Sequence, residues 1–541
     1  MKKHKLISIS IVLILALMFS PVTVSDDYNK QGDIIVHAGG DGDYTSLQTA
    51  ISNANNGDTI YVWSGTYYEN STIVNKRLDI IGNGTSNTII HGNNGGTLDI
   101  LSVPHDNVTI QDIRLTSIGG CGIRINNSNN IVVQNVVIDN IASSCIEVYN
   151  ASDVILNNVS FFNGSYCLEL DDVNHINVSH SYFEGDNRGL YALSFISNVT
   201  VYKTSFYDLD CSIWIRYGAS DVVIRDSYCW RTTFSGFYGV GIWVMDDSSN
   251  VYIYNNTVFG MNGASGGTTD PNCGIKIGSI SVYDISNVTI DDNFVYNCSN
   301  AGVWMDVITY ANVTDNVVAF CSVGIETDDE MNMNIISNTV YNTTSCGIMV
   351  YQSEKGYVFN ASDNYLYNIT SCGVEVYESD DSTLYNNTIY SNVNTSGDGI
   401  YISGDSENIT YDSNDIYGFY AGINATWGNW NQIIKGNYVR NNTVGVWLST
   451  WEHDYNITSN YIYYNILGIN VTGDNNLIYN NYFNNTNNGV DYGSGNYWNI
   501  TKTLGTNIIG GPYLMGNYWS DYLGTDDDGD GIGEAPYTIG V

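Results

Sequence analysis

Residues 345–350 read SCGIMV and residues 371–376 read SCGVEV, the same frame written twice with the cysteines at 346 and 372. The frame recurs upstream: GCGIRI ends at Ile125, SCIEV at Val148, YCLEL at Leu170 and NCGIKI at Ile277. Aligned on the apolar-x-apolar triplet, the series runs IRI at 123, IEV at 146, LEL at 168, IWI at 213, IWV at 242, IKI at 275 and VWM at 303. It continues with IET at 325, IMV at 348, VEV at 374, IYI at 400, INA at 423, VWL at 446 and INV at 469, and most steps fall between 21 and 28 residues. Each triplet is followed by a polar turn, a second alternating segment such as NVTI or NITY, an Asn, and a third short segment such as TVY or YIY. Three short strands per period leave no room for covering helices, but they can wind into a coil that stacks on the next coil. The fold class expected is therefore all-β, a single-stranded right-handed parallel β-helix.

The period assigns roles to the residues that mark it. Each Cys should fill an inward corner of its coil as a small apolar group, beside a Gly that permits the turn. The Asn before the third strand, at 256, 293, 316, 338, 364, 387, 414, 437 and 460, should form a stacked structural ladder. Equivalent residues of neighbouring coils lie ~4.8 Å apart with parallel Cβ vectors, so mostly free buried thiols are expected, with Cys298–Cys321 the favoured bridge.

Met1–Ser25 has Lys2, Lys3 and Lys5, an apolar run from Leu6 to Phe19 and a short uncharged SPVTVS, the pattern of a secretory signal peptide or, in its other use, an uncleaved anchor. No later stretch approaches the length of a transmembrane anchor, so a secreted or cell-surface chain is expected. The formal charge of −38, from 18 basic and 56 acidic residues, repels phosphate backbones and argues against nucleic acid as a partner. Apolar residues make up 43% of the chain, too many for disorder. More than twenty Asn-x-Ser/Thr sequons, among them Asn107, Asn158, Asn198, Asn287, Asn312 and Asn456, suit either a glycoprotein or turns that write the sequon by coincidence. The domains expected are the signal peptide (1–25), an N-terminal cap with the first coils (26–97), the repeats (98–492) and a C-terminal cap (493–541). In the first cap Leu47, Ala50, Ile51 and Ala54 fall on one helical face behind Thr45 or Ser46, a plug for the open end of the sheet.

The opening YTSLQTAI...NGDTIYVWSGTYYEN resembles that of pectin-lyase-like β-helix proteins, and GNYWSDYLGTDDDGDGIGEAPYTI resembles the tail of the NosD-like family of secreted β-helix proteins, often found on archaeal surfaces. The resemblance covers nearly the whole chain after the signal segment. It implies the fold, and it leaves carbohydrate binding, sugar hydrolysis and copper-site assembly all open, because fold alone does not fix function.

In related polysaccharide-active β-helices the outward strand face commonly carries the site. Here the triplets' middle residues form the outward stripe Asp99, Arg124, Glu147, Glu169, Trp214, Trp243, Lys276, Trp304, Glu326. Indoles on a solvated sheet are costly, and flat rings one coil apart can lie under sugars. Trp214, Trp243, Lys276 and Trp304, with Arg216, Asp246, Asp247 and Asp306, are the candidate carbohydrate-binding set. The long segments RTTFSGFYG and GMNGASGGTTDPN would either wall a groove over them or bury them. Glu147 and Glu169 on adjacent rungs are the candidate catalytic carboxyls, against which stands an ion pair from Glu147 to Arg124. A lyase-like alternative would use Lys276 with Asp246, Asp247 and Asp270. The seven His and nine Met show no clustered copper ligands. In the tail, Asp526, Asp528 and Asp530 before Gly531 copy half of a calcium loop that Glu534 would close, a candidate structural Ca²⁺ site. The function expected is binding of polysaccharide or surface glycan, with cleavage undecided. The alternatives are a structural or adhesive envelope protein that contacts other envelope proteins and an accessory protein of copper-site assembly.

Overall fold

In a computed structural model the chain is described over residues 33–540, apart from 70, 93–98, 117–118, 186, 233–238, 264–271, 279–284, 330–331, 352–357 and 393–395. The segment read as a signal peptide lies outside the described residues, as do Asp270 and most of the two candidate wall segments. Among the described residues no helix is long and apolar enough to cross a membrane.

Among the described residues one helix, Leu47–Asn53, follows the first strand, Ile34–Val36, and the strands join into a 52-stranded sheet in which every pairing is parallel, with a separate antiparallel pair, Thr503–Leu504 and Tyr513–Leu514. Each strand pairs with its equivalent one coil on, so Ile123, Ile146, Leu168, Leu190, Ile213 and Ile242 form one column. The long gap between LEL at 168 and IWI at 213 holds one more coil, whose triplet is Leu190–Tyr191–Ala192. The terminal Ala and the intervening Tyr hide it from a search for branched apolar pairs. Columns of Ile, Val and Leu at 0% exposure fill the interior, each side chain contributing ~1.5–3 kcal/mol by leaving water.

The Asn ladder is continuous. Asn338 is typical: its backbone N–H and its Nδ2 both donate to Asn364 Oδ1, at 2.9 and 3.1 Å, and Nδ2 also donates to the Val313 carbonyl at 2.8 Å. The pattern repeats from Asn256 to Asn481 and ends on Asn517. The residue before each ladder Asn adopts the left-handed region, as at Asn255 (φ 53°) and Asp363 (φ 57°), which explains the run of Asn, Asp and Ser there. A second left-handed position falls on Asn107, Asn198 and Asn287, each followed by an inward Val and an outward Thr. That turn writes a sequon whether or not a glycan is attached.

Nine of the ten cysteines divide in two, and the tenth, Cys121, is buried with its thiol on Glu147. Cys145, Cys167, Cys229, Cys298 and Cys321 point into the core, but Cys211, Cys273, Cys346 and Cys372 pack in apolar patches on the outside of the strands. The inward corner in CGI is held by the glycine: a Cβ on Gly373 would lie 2.2 Å from Ile389 Cγ2 and 2.4 Å from the Gly399 carbonyl oxygen. The bridge is Cys346–Cys372, with Cα atoms 4.7 Å apart, and Cys298 and Cys321 remain thiols. Both pairs sit on adjacent coils, and the rung spacing that argued against such bridges does admit one.

Both ends are covered. Ser46 caps the helix, accepting from Thr49 N, while the Glu69 carboxylate accepts from Leu47 N at 2.6 Å. At the other helix end Lys76 Nζ donates to the carbonyls of Ile51, Ser52 and Ala54, so both charges complement the helix dipole. At the far end Tyr518–Trp519 pairs with Tyr482–Asn484, and Trp519 is stacked between Phe483 (4.6 Å) and Tyr537 (4.3 Å).

Candidate functional site

The triplets' middle residues form one outward column, in register order Arg124, Glu147, Glu169, Tyr191, Trp214, Trp243, Lys276, Trp304, Glu326, Met349, Glu375 and Tyr401. Asp99 is off this column; it reaches Arg124 Nε from the side at 2.7 Å. Two residues on in each strand lies a second outward column that includes Arg216, Met245, Gly278, Asp306, Asp328, Tyr351 and Tyr377.

The candidate carbohydrate set splits on this surface. Trp214 and Trp243 stand outside the core, as their phase requires, yet they are 7% and 4% exposed. Their rings are parallel at 4.6 Å. Trp214 Nε1 donates to Met245 Sδ at 2.9 Å, and Trp243 Nε1 donates to the Gly278 carbonyl at 3.0 Å. Cations close both ends of the stack: Arg188 lies 4.2 Å over Trp214, and Lys276 lies 4.1 Å over Trp243 and 4.7 Å from the Trp304 ring. Indole faces paired with cations in a desolvated stack are a stable packing unit, so accessible sugar-stacking surface is absent from Trp214 and Trp243. Arg216 Nη1 donates to Tyr191 Oη at 3.1 Å. Asp246 is buried, Asp247 is exposed in the left-handed conformation, and Trp304 is half-buried.

Beyond Trp304 the carboxyls are perturbed: Asp306 is itself buried at 9% exposure, and Glu326 and Asp328 are half-buried. Burial, reinforced by the Asp328 and Asp329 carboxylates and opposed by Lys276, pushes Asp306 up to about 7. Burial, with like-charged neighbours, raises Glu326 to about 6 and Asp328 to about 6. Asp306 and Asp328 are register partners, and next along their column Tyr351 and Tyr377 stack at 4.4 Å, Tyr351 being 37% exposed. Asp328, Tyr351 and Tyr377 follow their triplets by one residue, and that outward position was available from period-two phase alone.

Glu147 and Glu169 are register partners with different bonds. Glu147 accepts from Arg124 Nη1 and from the Cys121 thiol, while Glu169 Oε2 accepts from Ser144 Oγ at 2.5 Å. In the tail, Asp526, Asp528 and Glu534 present carboxylate oxygens within 4.8 Å of one another. Asp530 is drawn away to Lys502, and Asp526 accepts the backbone N–H groups of Gly529, Asp530 and Gly531. Asp526 and Glu534 also line a cavity of about 520 Å³ with Trp498, Trp519, Tyr522 and Tyr537. A further group, drawn from the two stretches SCGIMV and SCGVEV, is Cys346, Cys372 and Glu375, whose ligand atoms lie within 4.8 Å of one another.

Residues 359–524 match the family described as periplasmic copper-binding protein (NosD), and residues 121–279 and 231–361 match the right-handed β-helix region family. No curated protein sequence matches the chain. Among solved structures it is similar to the mannuronan C-5 epimerase AlgE4 A-module of Azotobacter vinelandii, at 12% identity and TM-score 0.36, over 63% of this chain and 94% of that one. The catalytic domain of a GH87 α-1,3-glucanase in complex with nigerose is similar at 13% identity and TM-score 0.32, over 63% and 66% of the two chains. The Dettilon tailspike protein is similar at 13% identity and TM-score 0.41, over 62% and 67%. The chain is thus a right-handed parallel β-helix, and within it residues 359–524 resemble the NosD family.

Proposed function

We propose that the protein is a secreted, surface-located β-helix that binds carbohydrate on its outer strand face, where Trp304, Asp306, Asp328, Tyr351 and Tyr377 meet the ligand. Trp214, Trp243, Lys276, Arg216, Asp246 and Asp247 form the base and flank that hold this face rigid. The observation that carries the reading is the half-buried Trp304 at the end of the indole–cation stack, beside the register-paired carboxyls Asp306 and Asp328 and the stacked Tyr351–Tyr377 pair. Apolar rings with a few convergent polar groups are what a sugar-binding surface needs. Occupied sequons would make it a glycoprotein.

Cleavage is a second reading, favoured by one observation: Asp306 and Asp328 are register partners on adjacent rungs, and burial raises both. A pair of carboxyls, one kept protonated, is what glycoside hydrolysis uses. Glu147 and Glu169 are the competing pair. Reducing-end release measured on Asp306→Asn, Asp328→Asn, Glu147→Gln and Glu169→Gln assigns the step to one pair. We also propose a structural Ca²⁺ in the tail, held by Asp526, Asp528 and Glu534, with Asp530 on Lys502.

A glycan array probed with the full chain tests the binding reading. Trp304→Ala and Tyr351→Ala should abolish the signal while melting as the parent does. Unchanged binding by both variants overturns the placement. Binding to no glycan favours a structural or adhesive envelope protein.

A further inference from the structure

The most exposed tryptophans lie away from the face assigned above. Trp427 and Trp451 are 69% and 70% exposed, on turns that follow the register-paired strands Ala421–Ala425 and Val444–Leu448. A Cβ on Gly428 would lie 3.9 Å from Trp451 Cβ, so the two turns are neighbours. Buried Glu452 clamps them together, accepting from Gly428 N at 2.9 Å and from Asn429 N at 3.1 Å. Trp427 is held at φ 74°, where the coil before it has Gly404 at φ 75°. A bulky side chain in the left-handed region is costly, and such strain clusters where ligands are held. On the strand before Trp451, half-buried Trp447 points outward between its register partners Asn424 and Asn470. Among the described residues the Oδ1 atoms of both amides are buried and have no hydrogen-bond partner. Asn424 Nδ2 donates to Asp398 Oδ2 at 2.8 Å, which fixes its Oδ1 as the free acceptor.

We propose that Trp427, Trp447 and Trp451, with Asn424 and Asn470, form a separate site for a neutral polysaccharide chain. The indoles offer flat apolar faces, and the free amide oxygens call for donors, which sugar hydroxyls supply. Because Glu452 already fixes the turns, little ordering is left to oppose binding. The surrounding charge sets the class of glycan. Asp405 lies beside Gly428, and Asp454 and Asp474 flank His453, two residues past Trp451, all three carboxyls being exposed. Uronate or sulfated chains and anionic lipid surfaces are repelled by such a rim, whereas a neutral chain is not. Along the outward column the steps from Trp304 run through Glu326, Met349, Glu375, Tyr401 and Asn424 to Trp447. At ~4.8 Å per rung the two sites stand roughly 29 Å apart. The site therefore does not rest on the reading of the Trp304 face, and only a long chain could engage both.

The test is affinity electrophoresis of the full chain carrying Trp304→Ala, so that the other face is silent, in native gels cast with hydroxyethylcellulose, mannan or, as the charged control, alginate. Retardation is expected in at least one neutral gel and not in alginate. Adding Trp451→Ala should weaken it about tenfold, as loss of a central aromatic anchor does. Adding Trp427→Gly should weaken it as much while the chain melts no lower, because glycine relaxes the left-handed turn; a packing role would lower the melting temperature instead. Retardation of the parent that vanishes with Trp304→Ala alone overturns this site and leaves the Trp304 face standing. No retardation in either neutral gel, retardation in alginate, or unchanged retardation after both further substitutions also overturns it. So does sedimentation with phosphatidylcholine vesicles that Trp451→Ala abolishes, which would assign the indoles to a lipid surface.

Discussion

Asp306 shows how a single residue's setting can be tested without any ligand. Its carboxyl is raised from 3.8 to about 7 by burial and by the neighbouring carboxylates, and Glu326 and Asp328 shift in the same sense. A raised folded-state pKa means that the native chain holds a proton the unfolded chain has lost. The associated stability is fully present below the unfolded pKa and disappears as pH rises through the folded one. The melting temperature should therefore fall between pH 5 and pH 8, and Asp306→Asn should flatten that fall; a variant with the parent's pH profile would show that Asp306 is not the group concerned. At this scale the sequence was readable in part. Phase along the strand gave the outward direction of Trp214, Trp243 and Trp304. Exposure did not follow, because it depends on Met245 and the Gly278 carbonyl arriving from other coils. Cys145 and Cys167, which directly precede their triplets, point inward as expected; Cys346 and Cys372 were misplaced because they precede the triplet by two residues, a spacing that reads as inward only if alternation continues through the corner. The glycine there is the residue that turns inward instead.

The unit of stability above the residue is the ladder, in which each Asn serves the coil before it and the coil after it. Asn387 Nδ2 donates to Asn414 Oδ1 at 2.9 Å and to the Ala361 carbonyl at 2.8 Å, and its Oδ1 accepts from Asn364. Asn387→Ala takes the acceptor from the buried Asn364 backbone N–H and amide and the donor from the Ala361 carbonyl, and should cost about 1–3 kcal/mol in chemical denaturation. A loss below roughly 0.5 kcal/mol, the level of ordinary surface substitutions, would mean that the amide stack is not what holds the corner. This ladder was fully legible, since an amide that returns to the same corner of every coil is placed to stack on its own equivalents. The coil at Leu190–Tyr191–Ala192 was not, because Tyr and Ala break the branched-apolar signature although they keep its phase.

For the whole molecule, a net charge of −38 spread over a long solenoid works against compaction, so a divalent cation in the acidic tail should be felt as stability. Ca²⁺ held by Asp526, Asp528 and Glu534 raises the melting temperature by mass action, the more so because Trp519 and Tyr537 tie the tail to the last coils. Superimposable melting curves in calcium and in chelator would remove that site. The architecture was legible because the repeat states it many times over. The site was less so, since it is assembled from columns that cross several coils and includes the tyrosines one position past the triplets. The most direct measurement is a crystal structure with an oligosaccharide drawn from the glycan array. Sugar rings should lie against Trp304 and the Tyr351–Tyr377 pair, with hydroxyls hydrogen-bonded to Asp306 and Asp328. A sugar seated elsewhere on the solenoid, with this face bare, would contradict it.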